Sequence, residues 1–344
     1  MAFVQIDFEA YRHNLELLSE KAGGLDKLMV VLKDNAYGHG IQELAPLAAA
    51  IAVRYAAVKD RREAKLVEAF FEKVLILVDF PQENDEQHSN WVFVIHSIES
   101  LKNINPKVRI HVSVDTGMRR NGINLDELET ACKVIQERDL RIEGVLTHFM
   151  SADELDSSYF VQKTRFEKVK EYFKENAQKY GFKVPFFHSC NSAGLLRHQG
   201  EFSEDFARVG IASYGYTDLP ASFGEFDLKP IMSLWAEKIS SRDIQKGDRV
   251  GYGGVFEANK PMRISAYDLG YGDGLTRYNG KGSLHVKDGR PFLGKISMDS
   301  FILEGEDEVV CVFDDAMEFA EYFDTIRYEI ITRVSPFLKK KVVK

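Results

Sequence analysis

Short apolar runs alternate with amphipathic segments through the first two thirds of the chain. The runs are rich in Val, Ile, Leu, Phe and Ala, which is typical of strands buried in a parallel sheet. The segments between them show helical periodicity, and the longest one ends near Gly181. Eight strands separated by helices predict a (β/α)8 barrel. The runs lie at 27–33, 54–58, 73–79, 91–96, 108–115, 140–148, 184–189 and 206–210.

The pattern changes after about residue 220. Short strand-like runs separated by turns that contain Gly and Asp predict a mainly-β domain. We therefore predict a barrel over 1–222 and a second domain over 223–344, and we interpret the basic tail, 337–344, as a solvated chain end. The predicted strands of the second domain lie at 230–242, 248–254, 262–269, 283–287, 291–296 and 307–313.

Composition narrows the functional classes. The chain has 344 residues, 44% of them hydrophobic, and a net charge of −8. This acidic balance argues against general affinity for nucleic acid, and the absence of a long apolar run argues against a membrane span or a signal peptide. Cys132, Cys190 and Cys311 are far apart and form neither a disulfide framework nor a metal pattern. We expect a cytoplasmic protein without a metal site.

Polar residues follow several of the predicted barrel strands. Active sites of such barrels lie where strands end and the following loops begin. Each residue taken alone is most simply explained as structural, but together they predict a cationic pocket for an anionic small molecule such as a phosphate ester. The residues are Lys33, Asp115 leading to Arg120, His148, His188 with Asn191 and Ser192, and Arg208.

The segment LMVVLKDNAYGHG at 28–40 resembles the pyridoxal-phosphate lysine motif of alanine racemases. Other segments that resemble this family follow in the family's order, and they cover both predicted domains. In the first domain they are HVSVDTGMRRNGI (111–123), LTHFMSAD (146–153), HSCNSAGLL (188–196) and RVGIASYG (208–215). In the second they are LKPIMSLWAEKI (228–239), GDRVGYGGVF (247–256), LGYGDGLTR (269–277), GKISMDS (294–300) and TIRYEI (325–330).

The resemblance implies a set of cofactor-binding residues. Lys33 would bind pyridoxal 5'-phosphate covalently, because only a primary amine forms a Schiff base with its aldehyde. Arg208 would face the pyridine nitrogen with support from His188, and His148 would lie against the ring. The phosphate would be held by Tyr37, Ser192, the backbone at Gly210 and Ile211, and Tyr328, and Asn191 would be a further cofactor-binding residue.

The same resemblance implies residues for the substrate and for acid–base chemistry. Tyr252 would be the second catalytic base, opposite Lys33, and would come from the other subunit of a head-to-tail homodimer. Arg120 and the Met298 backbone N–H would contact the substrate carboxylate, with Asp299 beside Met298. Tyr271 and Arg277 would narrow the entrance.

The implied activity is interconversion of L-alanine and D-alanine, with D-alanine supplied to peptidoglycan. Four alternatives remain: a racemase of other or more amino acids such as serine or lysine, a pyridoxal-phosphate decarboxylase of the same plan, a single-barrel cofactor carrier, and a cofactor-free Schiff-base aldolase. The chain departs from the family pattern at Ser113, where many relatives have a lysine that is often carbamylated. We expect water or a small anion such as chloride to fill this place, or Arg120 to be braced differently.

Overall fold

The computed structural model describes residues 1–81 and 88–344. These residues form two compact units, each assembled from segments that are distant in sequence. The barrel unit comprises Tyr11–Lys33 and Leu44–Lys229, and the sheet unit comprises Met1–Ala10, Asp34–Glu43 and Pro230–Lys344. The units do not follow a single cut in the chain, so the domain boundary after residue 222 stays a prediction.

The described residues form sixteen strands, which alternate with helices in the first two thirds of the chain. They are β1 (Phe3–Asp7), β2 (Leu28–Val31), β3 (Tyr55–Val58), β4 (Lys73–Ile76), β5 (Trp91–Ile95), β6 (Arg109–Ser113), β7 (Arg141–Leu146), β8 (Phe186–His188), β9 (Ala207–Val209), β10 (Met232–Ile244), β11 (Arg249–Val250), β12 (Phe256–Glu257), β13 (Met262–Tyr267), β14 (Phe301–Glu304), β15 (Val309–Phe313) and β16 (Lys339–Val343).

Ten segments of the described chain have the hydrogen-bond pattern of α-helices. They are α1 (Phe8–Ala22), α2 (Lys33–Tyr37), α3 (Ile41–Ala50), α4 (Arg61–Val67), α5 (Ile98–Asn103), α6 (Leu128–Glu137), α7 (Ser158–Asn176), α8 (Ser192–Leu196), α9 (Met317–Tyr322) and α10 (Arg327–Thr332). Short 3-10 helices cover Leu25–Lys27, Leu125–Glu127, Ala221–Phe223, Tyr252–Gly254 and Tyr271–Asp273. In this part of the chain every helix is too short or too polar to span a bilayer.

The barrel unit contains eight parallel strands in the order β8-β7-β6-β5-β4-β3-β2-β9. The two end strands of this order, β8 and β9, are also linked, because the Arg208 N–H donates to the Cys190 carbonyl at 2.9 Å. The barrel is therefore nearly closed, and all eight strands lie within the predicted runs. Strands β2 and β5 are buried along their whole length, which explains why they read as continuous apolar stretches.

Helix α7 is shorter than its periodicity predicts, since it ends at Asn176 rather than near Gly181. The chain then forms a turn that closes at Gly181, whose φ of +74° suits glycine. The buried face of α7 follows the expected helical spacing and includes two polar residues, Gln162 and Lys170. Its members are Tyr159, Gln162, Phe166, Val169, Lys170 and Phe173.

The sheet unit contains a six-stranded sheet in the order β14-β13-β10-β1-β16, with β15 also paired to β10. Strand β1 runs antiparallel to β10 and parallel to β16. The prediction of a solvated C-terminal tail is therefore wrong, because the lysine-rich tail forms an edge strand. Lysine is suited to an edge strand, since its charge discourages further pairing. The Lys341 ammonium also lies 3.1 Å from the centre of the Phe3 ring, a cation–π contact.

Two of the strands predicted in the second domain are not formed. Segments 283–287 and 291–296 share only one isolated bridge, between His285 and Pro291, around a turn at Gly289. Proline has no N–H to donate to a ladder, which limits pairing at this point. Strand β14 was not predicted, although it pairs with β13 over four residues.

Two buried tyrosines of the barrel unit test how hydrogen bonding supports β2. The Tyr214 hydroxyl donates to the Val31 carbonyl at 2.6 Å, whereas the buried Tyr11 hydroxyl has no hydrogen-bond partner among the described residues. We expect Tyr214→Phe to lower the free energy of unfolding by about 1–3 kcal/mol, because it leaves a buried carbonyl unpaired. Tyr11→Phe should be neutral or stabilising. Urea unfolding of both variants measures the difference, and equal losses would contradict it.

Candidate active site

Lys33 follows β2 directly in the barrel unit. The strand end is fixed on both sides, because the Leu32 N–H donates to the Ala57 carbonyl at 2.8 Å and the Val31 carbonyl accepts the Tyr214 hydroxyl. Lys33 itself is half-buried. The barrel therefore presents a primary amine from a rigid strand end, where barrel enzymes place reacting groups.

The four residues after Lys33 form one left-handed turn. Asp34, Asn35, Ala36 and Tyr37 have φ between 51° and 55°, a conformation that costs an L-residue roughly 1–2 kcal/mol. The Gly38 N–H donates to the Asp34 carbonyl at 3.2 Å and closes the turn. Such strain persists only where the surroundings over-determine it, and it clusters at functional sites.

Contacts within the sheet unit hold this turn against α10. The rings of Tyr37 and Tyr328 have centroids 6.0 Å apart. A Cβ at Gly38 would lie 2.0 Å from the Ile331 carbonyl oxygen, so only glycine permits this approach. Burial raises the pKa of the Tyr37 phenol. The structure therefore brings Tyr37 and Tyr328 together.

Arg208 on β9 is buried and surrounded by acceptors within the barrel unit. Its Nη1 donates to His188 Nδ1 and to the His188 carbonyl, both at 2.8 Å. Its Nη2 donates to the Thr147 carbonyl at 2.6 Å and to the Ser189 carbonyl at 3.1 Å. All four Nη hydrogens are thus used, and in the described part of the chain no acceptor takes the Nε–H. Burial lowers the pKa of the guanidinium to about 10, so it is charged at neutral pH.

His148 follows β7 and is neutral at physiological pH. Its pKa falls to about 3, chiefly because burial removes water and then because Arg208, Arg120 and Lys33 are positively charged. Arg120 also lowers the pKa of His96, after burial. These electrostatic effects show that Arg120, although exposed, lies within range of the same end of the barrel as His148.

Ser192 and the turn after β9 form a second polar cluster. The Ser192 Oγ accepts from the Gly210 N–H at 3.0 Å and from the Ala212 N–H at 3.3 Å, so its own hydrogen can be donated to a ligand. Among the described residues nothing accepts from the Ile211 N–H. The Asn191 Oδ1 caps α8 by accepting from the Gly194 N–H at 2.8 Å, which leaves only its amide hydrogens for a ligand.

Five of the predicted residues belong to the sheet unit and are exposed: Tyr252, Tyr271, Arg277, Met298 and Asp299. Tyr252 is 68% exposed on a turn between Gly251 and Gly253, and Met298 is 54% exposed. The Tyr271 and Met298 segments are joined by a hydrogen bond from the Gly272 N–H to the Met298 carbonyl at 2.8 Å. They also approach closely, because a Cβ at Gly270 would lie 2.1 Å from the same oxygen.

Gln162 was not predicted as a site residue, although it organises the loop that carries His148. Its Nε2 donates to the His148 carbonyl at 3.0 Å and to Thr116 at 3.2 Å, and its Oε1 accepts from the Met150 N–H at 2.9 Å. The available sequence signal is a glutamine on the apolar face of α7. Because its buried amide makes hydrogen bonds to two backbone groups and one hydroxyl, Gln162 holds this loop in place.

Comparisons with known proteins agree with this geometry. The family model described as alanine racemase, N-terminal domain, matches residues 6–218, and the model for the C-terminal domain matches 231–342. The chain belongs to the alanine racemase family. It is 46% identical over 343 residues to the alanine racemase of Campylobacter curvus and 44% identical over 340 residues to that of Nitratiruptor, and each alignment covers at least 99% of both chains.

Solved structures of alanine racemases share the fold. The Bacillus anthracis enzyme with bound L-Ala-P has a TM-score of 0.86 and 28% identity, and the alignment covers 100% of this chain and 95% of that one. The Bartonella henselae enzyme with covalently bound pyridoxal phosphate has a TM-score of 0.81 and 26% identity, with 99% of each chain covered. The family is one of isomerases that use pyridoxal phosphate.

The left-handed turn gives a test of backbone strain. Ala36 in the turn and Ala320 in α9 are both buried residues of the sheet unit. Replacing either by Gly loses one methyl group, but Gly relieves left-handed strain at Ala36 and weakens an ordinary helix at Ala320. We expect Ala36→Gly to be more stable than Ala320→Gly by about 2 kcal/mol in urea unfolding. The strain assignment fails if Ala36→Gly is the less stable variant.

Proposed function

We propose that this protein interconverts L-alanine and D-alanine with pyridoxal phosphate bound at Lys33, and so supplies D-alanine for peptidoglycan. The observation that carries the proposal is the hydrogen bonding of Arg208. Its four Nη hydrogens are bound to His188, Thr147 and Ser189, and this leaves a single charged N–H for a ligand. A pyridine nitrogen is an acceptor of the right kind.

The residues present fit this cofactor. Lys33 provides the amine for the aldehyde, and Arg208 provides one donor for the ring nitrogen. The Ser192 hydroxyl and the Ile211 N–H provide donors for the phosphate, with Tyr37 and Tyr328 as further phosphate ligands. When bound, pyridoxal phosphate supplies delocalisation for the electron pair left on the substrate Cα when its proton departs.

Arg208 keeps its proton in this arrangement. Guanidinium is a very weak acid, and here four acceptors hold it in place. It can therefore donate a hydrogen bond without transferring a proton. This favours return of the proton to Cα over side reactions that need a stronger electron sink, which suits an enzyme that releases the same amino acid inverted.

Two bases are needed because a proton must leave one face of Cα and return to the other. We assign one face to the Lys33 amine and the other to the partner subunit's Tyr252 in a homodimer. The exposure of Tyr252, 68% in the single chain, supports a role in a second polypeptide. Neighbouring glycines allow close approach of its phenol. His148, held neutral beside Arg208 and Arg120, can accept a hydrogen bond from such a phenol.

Recognition of the substrate carboxylate is assigned to Arg120 and to the Met298 backbone N–H, with Tyr271 and Arg277 narrowing the entrance. The Arg277 guanidinium lies 5.9 Å from the centre of the Tyr271 ring, a distance at which the two side chains attract each other by a cation–π interaction. We place the enzyme in the cytoplasm, because its three cysteines are unpaired in the folded chain and a reducing compartment keeps thiols in that state.

Deuterium exchange tests the reaction. In D2O, the protein loaded with pyridoxal phosphate should abolish the optical rotation of L-alanine while the α-proton is replaced by deuterium, because proton removal and return occur at the same carbon. Polarimetry and proton NMR on one sample measure both. Lys33→Ala is the control and should show neither change. Release of carbon dioxide, or faster exchange with L-serine or L-lysine than with L-alanine, would contradict the assignment.

Mixing of variants tests the trans role of Tyr252. Tyr252→Phe and Lys33→Ala should each be nearly inactive alone. If each site combines Lys33 of one chain with Tyr252 of the other, random subunit exchange restores about a quarter of the intact sites, because half the dimers are mixed and each mixed dimer has one complete site. The measurement is turnover after mixing at equal concentration. Absence of recovery despite subunit exchange, shown by mass-tagged chains, would exclude action across the dimer.

A further inference from the structure

A second histidine lies behind the histidine that holds Arg208. His111 on β6 is 4% exposed, and its Nδ1 lies 2.9 Å from His188 Nε2. His188 Nδ1 in turn lies 2.8 Å from Arg208 Nη1. The three side chains form a continuous line, His111–His188–Arg208, across three strands of the barrel unit.

The direction of each hydrogen bond in this line follows from Arg208. Guanidinium has only donors, so His188 Nδ1 must be the acceptor and must carry no hydrogen. Neutral His188 then has its hydrogen on Nε2, which donates to His111 Nδ1. His111 must therefore be neutral as well, with its hydrogen on Nε2. The proton positions of both rings are thus set by a single charged group.

Strand β7 is shaped to leave room for the His111 ring. A Cβ at Gly144 would lie 2.6 Å from both Cε1 and Nδ1 of His111, so no side chain fits at Gly144 without moving the ring. Gly144 faces His111 because the pairing of β6 with β7 shifts by one residue, from Ile110 opposite Ile142 to His111 opposite Gly144. Gly144 is therefore explained by the space that the His111 ring occupies.

The surroundings of His111 keep it in the neutral state that this line of hydrogen bonds requires. Burial, and then the positive charges of Lys73 on β4 and Arg208 on β9, lower the pKa of His111 to about 3. Glu143, the extra residue at the shift in β7, is bound by Lys73 at 2.9 Å and by Arg109 at 2.9 Å. His188 is the remaining titratable neighbour, and burial followed by Arg208 and His111 lowers its pKa well below the usual range.

We propose that His111 is a positioning residue for Arg208. By accepting from His188 Nε2–H, it selects the His188 tautomer whose Nδ1 can accept from Arg208, and so it fixes the guanidinium that would donate to the cofactor ring. Without that acceptor, a proton on Nδ1 would place two donors against each other and displace Arg208. The inference rests on the proposed function for its effect on turnover, but the tautomer can be measured without any reaction.

The test compares two substitutions on the intact protein loaded with pyridoxal phosphate. His111→Leu fills similar space without an acceptor, whereas the side-chain carbonyl of His111→Gln can still accept from His188. Long-range proton–nitrogen NMR of protein labelled with 15N-histidine reports the tautomer of each ring, and the variants also assign the His111 signal. Turnover and KM with L-alanine are measured in parallel, and circular dichroism confirms folding.

In the unsubstituted protein, His111 and His188 should both be neutral with hydrogen on Nε2 at pH 7. In His111→Leu, His188 should lose that single tautomer and kcat should fall roughly 10- to 100-fold, by analogy with residues that orient a metal-binding histidine through its second ring nitrogen. KM should change far less than kcat, and His111→Gln should recover most of the loss in both readouts.

Three results overturn the proposal. The first is a proton on His188 Nδ1 in the unsubstituted protein, which decides the matter even if His111→Leu does not fold. The second is an unchanged His188 tautomer in His111→Leu. The third is an equal loss of kcat in the Leu and Gln variants. If the unsubstituted protein has no racemase activity, the proposed function fails, and the tautomer measurement alone then decides whether His111 fixes the His188–Arg208 pair.

Discussion

A charged guanidinium buried within a barrel is the constraint on which the site depends. Burial of an ion costs several kcal/mol unless its donors are all satisfied. Arg208 satisfies four of its five donors with backbone carbonyls and one imidazole rather than with a carboxylate, and the fifth, the Nε–H, is the donor that we propose for the cofactor. The acceptors lie at the ends of β7 and β8. The guanidinium therefore keeps its hydrogen bonds only if these two strands keep their positions relative to β9.

Neighbouring groups reinforce the same arrangement. The Ser189 segment, which supplies one acceptor, is itself held by Glu204, whose Oε2 accepts from the Ser189 N–H at 2.6 Å. The Thr147 hydroxyl donates to the Val114 carbonyl at 2.8 Å, and Thr147 precedes His148. Burial, and then the positive charge of Arg208, lowers the pKa of His148 and keeps it neutral. A single ion therefore fixes proton positions and loop ends on several strands, and Lys33 enters this preorganised environment from β2.

The barrel could be predicted from sequence because parallel strands covered on both faces are apolar throughout. The sheet unit could be predicted only in part, since β1, β10 and β16 pair across almost the whole chain length and periodicity carries no information on such partners. The basic residues of β16 indicated a solvent-exposed chain end. An edge strand can expose these charged side chains to solvent while its backbone pairs with β1. The left-handed turn at Asp34–Tyr37 could not be predicted from the sequence either. None of its residues is a glycine, and the close contact of Gly38 with α10 helps to impose the conformation.

The candidate site residues came from polar positions at strand ends and from the resemblance of whole segments, and the structure groups them within each unit. Gln162, Gly144 and His111 were missed because a polar residue on an apolar helix face, a glycine in a strand and a histidine in a strand have no specific pattern. Their roles follow only from the atoms they face.

The most direct test of the account is the covalent link at Lys33. The protein loaded with pyridoxal phosphate is reduced with borohydride, digested and mapped by mass spectrometry. The account predicts a pyridoxyl group on the Lys33 side chain and loss of the adduct in Lys33→Ala. Reduction that leaves Lys33 unmodified, or that places the group on another lysine, would contradict it.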